Sequence, residues 1–202
     1  YVANRGDGTV VKIANLDGTP SVSSPLAVGS EPTGLALSPT GATLYVAEWA
    51  EGRIAVVATA TMTETGAITA PRNPRGVAVT NDGDADDADE LIVVPEFYGE
   101  PTGTEAADGS RAGRVRLERA SDLSPDTAIT LAAIDSGFAP STAPAGAPTV
   151  VTSPHQLWNA VIVGTKLYLP SISAAPAAPT NFQSNVHAVV YVGDLATHAE
   201  DR

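Results

Sequence analysis

Apolar and polar residues alternate with period two along most of this chain, and no helical period is sustained, so the pattern predicts half-buried β-strands. The clearest stretch runs from Pro32 to Thr61, PTGLALSPTGATLYVAEWAEGRIAVVATAT. It predicts strand A at Gly34–Ser38, a tight turn at Pro39-Thr40-Gly41, strand B at Thr43–Ala47, strand C at Arg53–Thr59 and strand D near Thr65–Ala70. Proline ahead of strand A removes no ladder hydrogen bond, and Gly41 supplies the positive φ of a tight turn.

The same pattern recurs as PRGVAVTNDGDADDADELIVVPEF from Pro74 and as PHQLWNAVIVGTKLYLPSIS from Pro154. Tyr1-Val2-Ala3-Asn4 matches Tyr45-Val46-Ala47-Glu48, an offset of 44 residues, and Gly8–Ile13 matches Gly52–Val57. Repeats of roughly 40 to 50 residues with four strands each are those of propeller blades. The expected fold is therefore all-β, a β-propeller with repeats at about 1–30, 31–73, 74–135 and 154–202 and a Pro/Ala-rich insertion over 136–153.

Read this way, the strands run B-C-D, A-B-C-D, A-B-C-D and A-B-C, about 14 in all. The last is Ala188–Leu195, whose Val189-Val190-Tyr191-Val192 is aligned with Ile54-Ala55-Val56-Val57. Strand A of the first repeat and strand D of the last are expected to be missing. A propeller closes its ring by completing one blade from both ends, so the expectation is a segment of a larger ring, closed by further blades or by a partner. The absence of an initiating Met and of a basic-then-apolar leader predicts a processed chain or a piece of a longer one. Spacing breaks at Asn81–Glu90, at Tyr98–Ala112, at Ser136–Ser153 and at Ser173–Ser184; these are expected to be loops on one face or disordered stretches.

Hydrophobic residues make up 43% of the 202, enough for a core. No apolar run approaches the roughly 18 to 20 residues of a membrane-spanning helix. The 11 basic residues against 23 acidic ones give a net charge of −12, a field that repels phosphate backbones and argues against nucleic-acid binding. Cysteine is absent, which removes disulfides, thiolate nucleophiles, Cys-ligated metals and covalent c-type haem from this segment.

With Pro-x-Gly, Ser-Pro-x-Gly and Tyr-Val-x-x in succession, the Pro32–Thr61 repeat resembles the YVTN-type β-propeller repeat, and the resemblance covers most of the chain. Ile92–Glu96 and Leu167–Ser171 carry degenerate forms of its signature strand. The resemblance implies a ring of about six to eight blades in a periplasmic, surface-layer or extracellular protein. The run NDGDADDADE with VVPEF, and later LYLPSISAAPAAPTNFQSNVHAVVYVGDL, is similar to large bacterial propellers joined to cytochrome c or cytochrome c peroxidase-like modules. Any haem is then implied only on a partner module, since Cys-x-x-Cys-His does not occur here.

The densest candidate chemistry is the acidic turn, where Asp82, Asp84 and Asp86 alternate and Asp87, Asp89 and Glu90 follow. Calcium takes six to eight hard oxygens in a flexible loop, and alternate carboxylates deliver three towards one point. The Gly of the sixth EF-hand position is Asp87 and no flanking helices are predicted, so calcium and a solvated acidic turn both stand as readings. A second set follows strand B, where Glu48-Trp49 and Glu96-Phe97 are equivalent and Ser171-Ile172 takes their place in the last repeat. They read as ligands of a cation or sugar, as an acid and base, or as loop acids beside rim aromatics. Thr33, Arg75 and His155 share the position after Pro and are expected near the mouth of the channel, with His155 a ligand of a metal or haem, a proton carrier or a hydrogen-bonded structural His. His187 ahead of strand C and His198 near the end do not pair with it by spacing. No H-x-E, H-E-x-x-H, G-x-S-x-G or P-loop pattern occurs, so hydrolase, metalloprotease and NTPase readings lack support.

The functional expectation is a non-catalytic exported scaffold or binding platform, alongside a cytochrome module. Two alternatives stand beside it, a lactonase- or quinoprotein-like enzyme and a cell-surface or filament protein.

Overall fold

The structure, a computed structural model, describes residues 1–69, 72–140, 143–177 and 180–202. Strands β1 (Val2–Asn4), β2 (Thr9–Val11), β3 (Ile13–Ala14), β4 (Ser21–Val22) and β5 (Leu26–Ala27) come first. β1-β2-β5 form a three-stranded sheet, the expected B, C and D, while β3 and β4 make a separate hairpin that the repeat pattern does not contain. The second sheet is β6 (Pro32–Leu37), β7 (Thr43–Glu48), β8 (Arg53–Ala58) and β9 (Thr63–Thr69), paired in chain order. Its strands B and C lie within a residue of the expected bounds; Ala70, the expected end of strand D, falls outside the described residues.

The third sheet has the order β10 (Ala78–Val79), β11 (Leu91–Pro101), β12 (Arg111–Arg119) and β13 (Pro125–Leu131). The fourth runs β14 (Ile134–Asp135), β15 (Val151–Leu157), β17 (Lys166–Ala174), β18 (Val186–Asp194) and β19 (Ala199–Glu200), with β16 (Val161–Val163) also on β17. No helix among the described residues is long and apolar enough to cross a membrane.

Register shifts between Pro32 and Gly34 and again between Pro154 and Gln156. Thr33 and His155 are therefore the extra residues of two β-bulges at one repeat position, a device that re-aims a side chain.

Four expectations are corrected. Tyr98–Ala112 is not all loop, because β11 reaches Pro101 and β12 begins at Arg111. Gly99, at φ +63, lets the backbone pass where a Cβ would lie 2.2 Å from the Ala112 carbonyl oxygen, and the remaining tip is held where Asp108 accepts from the Ala177 amide at 2.9 Å. Strand D of the last sheet is not missing; β19 covers Gly193 and Asp194 of β18. The segment 173–184 contributes to β17 and to a one-turn helix α1 (Phe182–Asn185), capped by Asn181 accepting from the Gln183 amide.

The fourth correction is one of register. Ala188 lies opposite Ile172 and Val190 opposite Pro170, as Ile54 lies opposite Ala47 and Val56 opposite Tyr45. The alignment of Val189–Val192 with Ile54–Val57 is thus one residue out, and a slip of one turns every side chain to the other face. Pro154 moreover faces Ser173 as Pro32 faces Glu48, so Ser173 rather than Ser171 takes the Glu48 position.

The chain forms two compact units, Tyr1–Val94 with Arg116–Asp126, and Pro95–Val115 with Thr127–Arg202. In the first, the two faces of the second sheet enter different clusters. Tyr45, Ala47, Ile54 and Val56 pack with Val77, Ile92 and Val94, which come later in the chain; this is the forward face. Leu44, Val46, Ala55 and Val57 pack with Val10, Tyr1, Ala3 and Leu26 of the first sheet; this is the back face. Each fully buried Leu or Ile contributes about 1.5–3 kcal/mol. In the second unit, Leu167, Leu169 and Tyr191 are buried on the back face of the fourth sheet, and a Cβ on Gly193 would touch Ile129 at 3.3 Å.

Candidate functional site

The acidic loop joins β10 to β11 and is built from Asx turns. The Asp84 amide donates to Asp82 Oδ1 at 3.1 Å, the Asp86 amide to Asp84 Oδ1 at 2.7 Å and the Ala88 amide to Asp86 Oδ1 at 2.9 Å. Asp86 thereby caps a single 3-10 turn over Asp87–Asp89. That turn swings Asp89 back, so that one carboxylate oxygen each from Asp82, Asp84 and Asp89 lie within 4.8 Å of one another on the exposed surface.

The other three acids of the predicted set serve elsewhere. Glu90 is buried, accepting from Thr80 Oγ1 and, at 3.0 Å, from the Asp82 amide, which ties the two ends of the loop together. Asp87 reaches the A-to-B turn of the second sheet and accepts from the Thr40 amide at 3.0 Å. Desolvation raises the Asp87 pKa, but hydrogen bonds from Ser38 and Thr40 outweigh it and hold the group below its ordinary range. Asp89 shifts the opposite way, pushed up by desolvation and then by the charges of Asp82, Asp84 and Asp86.

Tyr45 links this loop to the core. Burial first, then the charge of Asp87, push its phenol from 10.0 up to about 12. A raised folded pKa gives stability that is complete below pH 10.0 and lost as pH rises through about 12. Titration of phenolate absorbance should therefore show, beside Tyr191, whose phenol burial also pushes up, a late component that Tyr45→Phe removes and Asp87→Asn moves to lower pH. A profile unchanged by both substitutions would refute the coupling.

The strand-B acids are buried. Glu48 is fully buried; it accepts from the Gly29 amide at 2.7 Å and from Arg53 Nε, directly across the β7–β8 hairpin. Arg53 also donates to Glu64 at 2.9 Å, and its hydrogen bonds to Glu48 and then to Glu64 hold the guanidinium above its ordinary range. Trp49 meets Arg75, whose guanidinium carbon lies 5.8 Å from the ring centroid, a cation–π distance. In the second unit, Glu96 is buried and Phe97 makes edge contacts with Tyr98 at 4.9 Å and Trp158 at 5.7 Å. His155 is half-buried, and its Nδ1 has no hydrogen-bond partner among the described residues. His187, placed within β18 rather than ahead of it, stacks on Phe138 at 5.0 Å.

Sequence reasoning missed Arg53, Thr40, Thr80 and Trp158. Arg53 was within reach, because a hairpin from Glu48 through a short loop sets those two residues opposite. Thr40 and Thr80 carry no pattern of their own.

No protein-family profile matches this chain, and no curated protein does. Among solved structures it is similar to Kuenenia stuttgartiensis hydrazine synthase, with a TM-score of 0.65 and 16% identity over 98% of this chain and 43% of that one. It is also similar to the Neurospora crassa Pan2 WD40 domain, with a TM-score of 0.54 and 7% identity over 97% of this chain and 46% of that one. The chain thus spans less than half the length of either. At such identities the likeness concerns the fold, which is that of a β-propeller.

Proposed function

We propose that this chain is a non-catalytic propeller segment of an exported protein, a platform for a protein partner, whose acidic loop takes a calcium ion. The observation that carries the platform reading is the use made of the buried acids. Glu48 braces a hairpin through Arg53, and Glu90 closes the loop on Thr80. Groups that acid–base chemistry would need at a surface serve instead as internal ties. The repeat resemblance makes a c-type cytochrome module the first partner to test, in a periplasmic or extracellular setting. Turnover of a lactone or of a quinone-coupled substrate by the purified protein, abolished by Glu96→Gln, would overturn this reading.

For calcium, the donor set fits. Asp82, Asp84 and Asp89 are hard oxygen donors, and Asp86, Asp87 and Glu90 fix the loop that carries them. Water and backbone carbonyls would complete the shell of six to eight oxygens. The ion would relieve the repulsion that pushes Asp89 up. At a hundredfold excess over its dissociation constant, calcium is expected to stabilise the fold by about 2.7 kcal/mol. Urea unfolding with and without calcium measures this, and Asp84→Asn and Asp89→Asn should each abolish most of the gain. Equal midpoints for the wild type under both conditions would exclude the site.

A further inference from the structure

Where the first and second sheets meet within the first unit, their loops enclose a cleft of about 360 Å³, the size of a small-molecule site. One wall is the β1–β2 turn with Arg5, Asp7 and Gly8, another is the connection into β6 with Gly29 and Glu31, and Glu51 of the β7–β8 loop closes the third side. Hydrogen bonds fix these walls to one another. The Val28 amide donates to the Gly8 carbonyl at 2.9 Å, the Ser30 amide to Glu51 Oε1 at 2.9 Å and the Trp49 amide to the Glu31 carbonyl at 3.0 Å. The bare main chain at Gly29 admits the Glu51 carboxyl, whose carbon would lie 2.6 Å from a Cβ there. The cleft is thus preformed.

Its charge is one-sided, with the carboxylates of Asp7, Glu31 and Glu51 set against the single guanidinium of Arg5. A cleft lined by one sign of charge focuses the field and concentrates the opposite ion. Glu51 already holds the Ser30 amide and Glu31 takes Arg5 Nη2 at 2.9 Å, whereas Asp7 makes no side-chain hydrogen bond or ion pair among the described residues. The Arg5–Glu31 bridge is open to solvent, its side chains 52% and 41% exposed, so it contributes little and yields readily to a competing cation. A metal ion does not fit. Among the described residues the carboxylates close enough to share one are those of Asp82, Asp84 and Asp89, so the spread acids of this roomier cleft suit a larger, organic cation.

We propose that this cleft binds an organic ammonium group, held between Asp7 and Glu31, with Arg5 the side chain that it displaces from Glu31. An ammonium is a compact point charge with freely turning donors, so two carboxylates on different walls can share it. The same chemistry is carried by a free alkylamine and by a lysine side chain of a partner protein. The proposal goes beyond the platform reading and stands without it, since the cleft belongs to the first unit whether the whole protein binds a partner or turns over a substrate.

Backbone amide NMR of the isotope-labelled 202-residue chain tests it, at physiological salt so that the net charge of −12 is screened beyond about 8 Å. The probes are butylammonium and the peptide acetyl-Gly-Gly-Lys-Gly-Gly-amide, whose one charge is its lysine. Both are expected to shift the amides of Asp7, Gly29 and Ser30, saturating with Kd on the order of 1 mM. Asp7→Asn should weaken both about fivefold, and Arg5→Gln should strengthen both by about the same factor because it frees Glu31. An anion or a neutral sugar would instead lose affinity with Arg5→Gln. Both side chains are exposed, so the variants keep the fold, and unchanged amide positions away from the cleft check this. Tighter binding of the peptide assigns the cleft to a partner's lysine, and tighter binding of butylammonium to a free amine. Absence of a saturable shift, shifts confined to the Asp82–Asp89 loop, or weaker binding in Arg5→Gln would each overturn the proposal.

Discussion

Replacing Arg53 by alanine is expected to destabilise the first unit by about 3–5 kcal/mol, the cost of leaving a buried carboxylate without its partner. Glu48 has no access to solvent, and apart from Arg53 its donor among the described residues is the Gly29 amide at 2.7 Å. The loss reflects burial of an uncompensated charge more than the strength of the ion pair. The double variant Glu48→Gln with Arg53→Met should therefore recover most of it, since Gln keeps an acceptor for Gly29 and carries no charge. Glu51 and Glu64, which also contact Arg53, are partly exposed and can turn to water. Urea midpoints for the wild type, the single variant and the double variant measure the difference. If Arg53→Ala and the double variant fell equally, Arg53 would be acting through packing of its stem rather than through charge.

Placing any Cβ at position 34 is expected to cost about 1–3 kcal/mol, as overpacking does, and more with a branched side chain. The first side-chain atom of Gly34→Ala would lie 2.8 Å from both the Arg75 carbonyl oxygen and the Gly76 Cα. Both obstacles are main chain, so no rotamer change relieves them, and the two A-strand segments must move apart. Gly6→Ala is the control: it meets nothing within 4 Å and should change stability by no more than about 0.5 kcal/mol. Equal midpoints for the two variants would show that the strands separate without penalty.

The second sheet was legible because its alternation is clean and turn residues bound each strand. Strand C of the last repeat was not legible to the residue. AVVYVGDL is apolar on both faces, so period two leaves its facing undetermined until Val190 is set opposite Pro170. The extension of β11 through Tyr98-Gly99-Glu100-Pro101 was hidden for a different reason, since Gly and Pro in a polar run mark a turn locally while the hairpin is imposed by pairing. In the acidic loop, alternation pointed to Asp82, Asp84 and Asp86. The 3-10 turn, whose cap is Asp86 itself, brings in Asp89 instead. That Asp87 and Glu90 anchor the loop rests on Thr40 and Thr80, residues whose proximity arises only in the fold.

The matching of forward face to back face bears on how such a chain arises. A repeat whose two faces complement copies of itself can be duplicated in tandem with its core contacts already written, so a gene grows by whole units and drifts afterwards. Tyr1–Asn4 and Tyr45–Glu48 match at an offset of 44 residues, whereas the acidic loop sits between strands, where an insertion leaves the packed faces untouched.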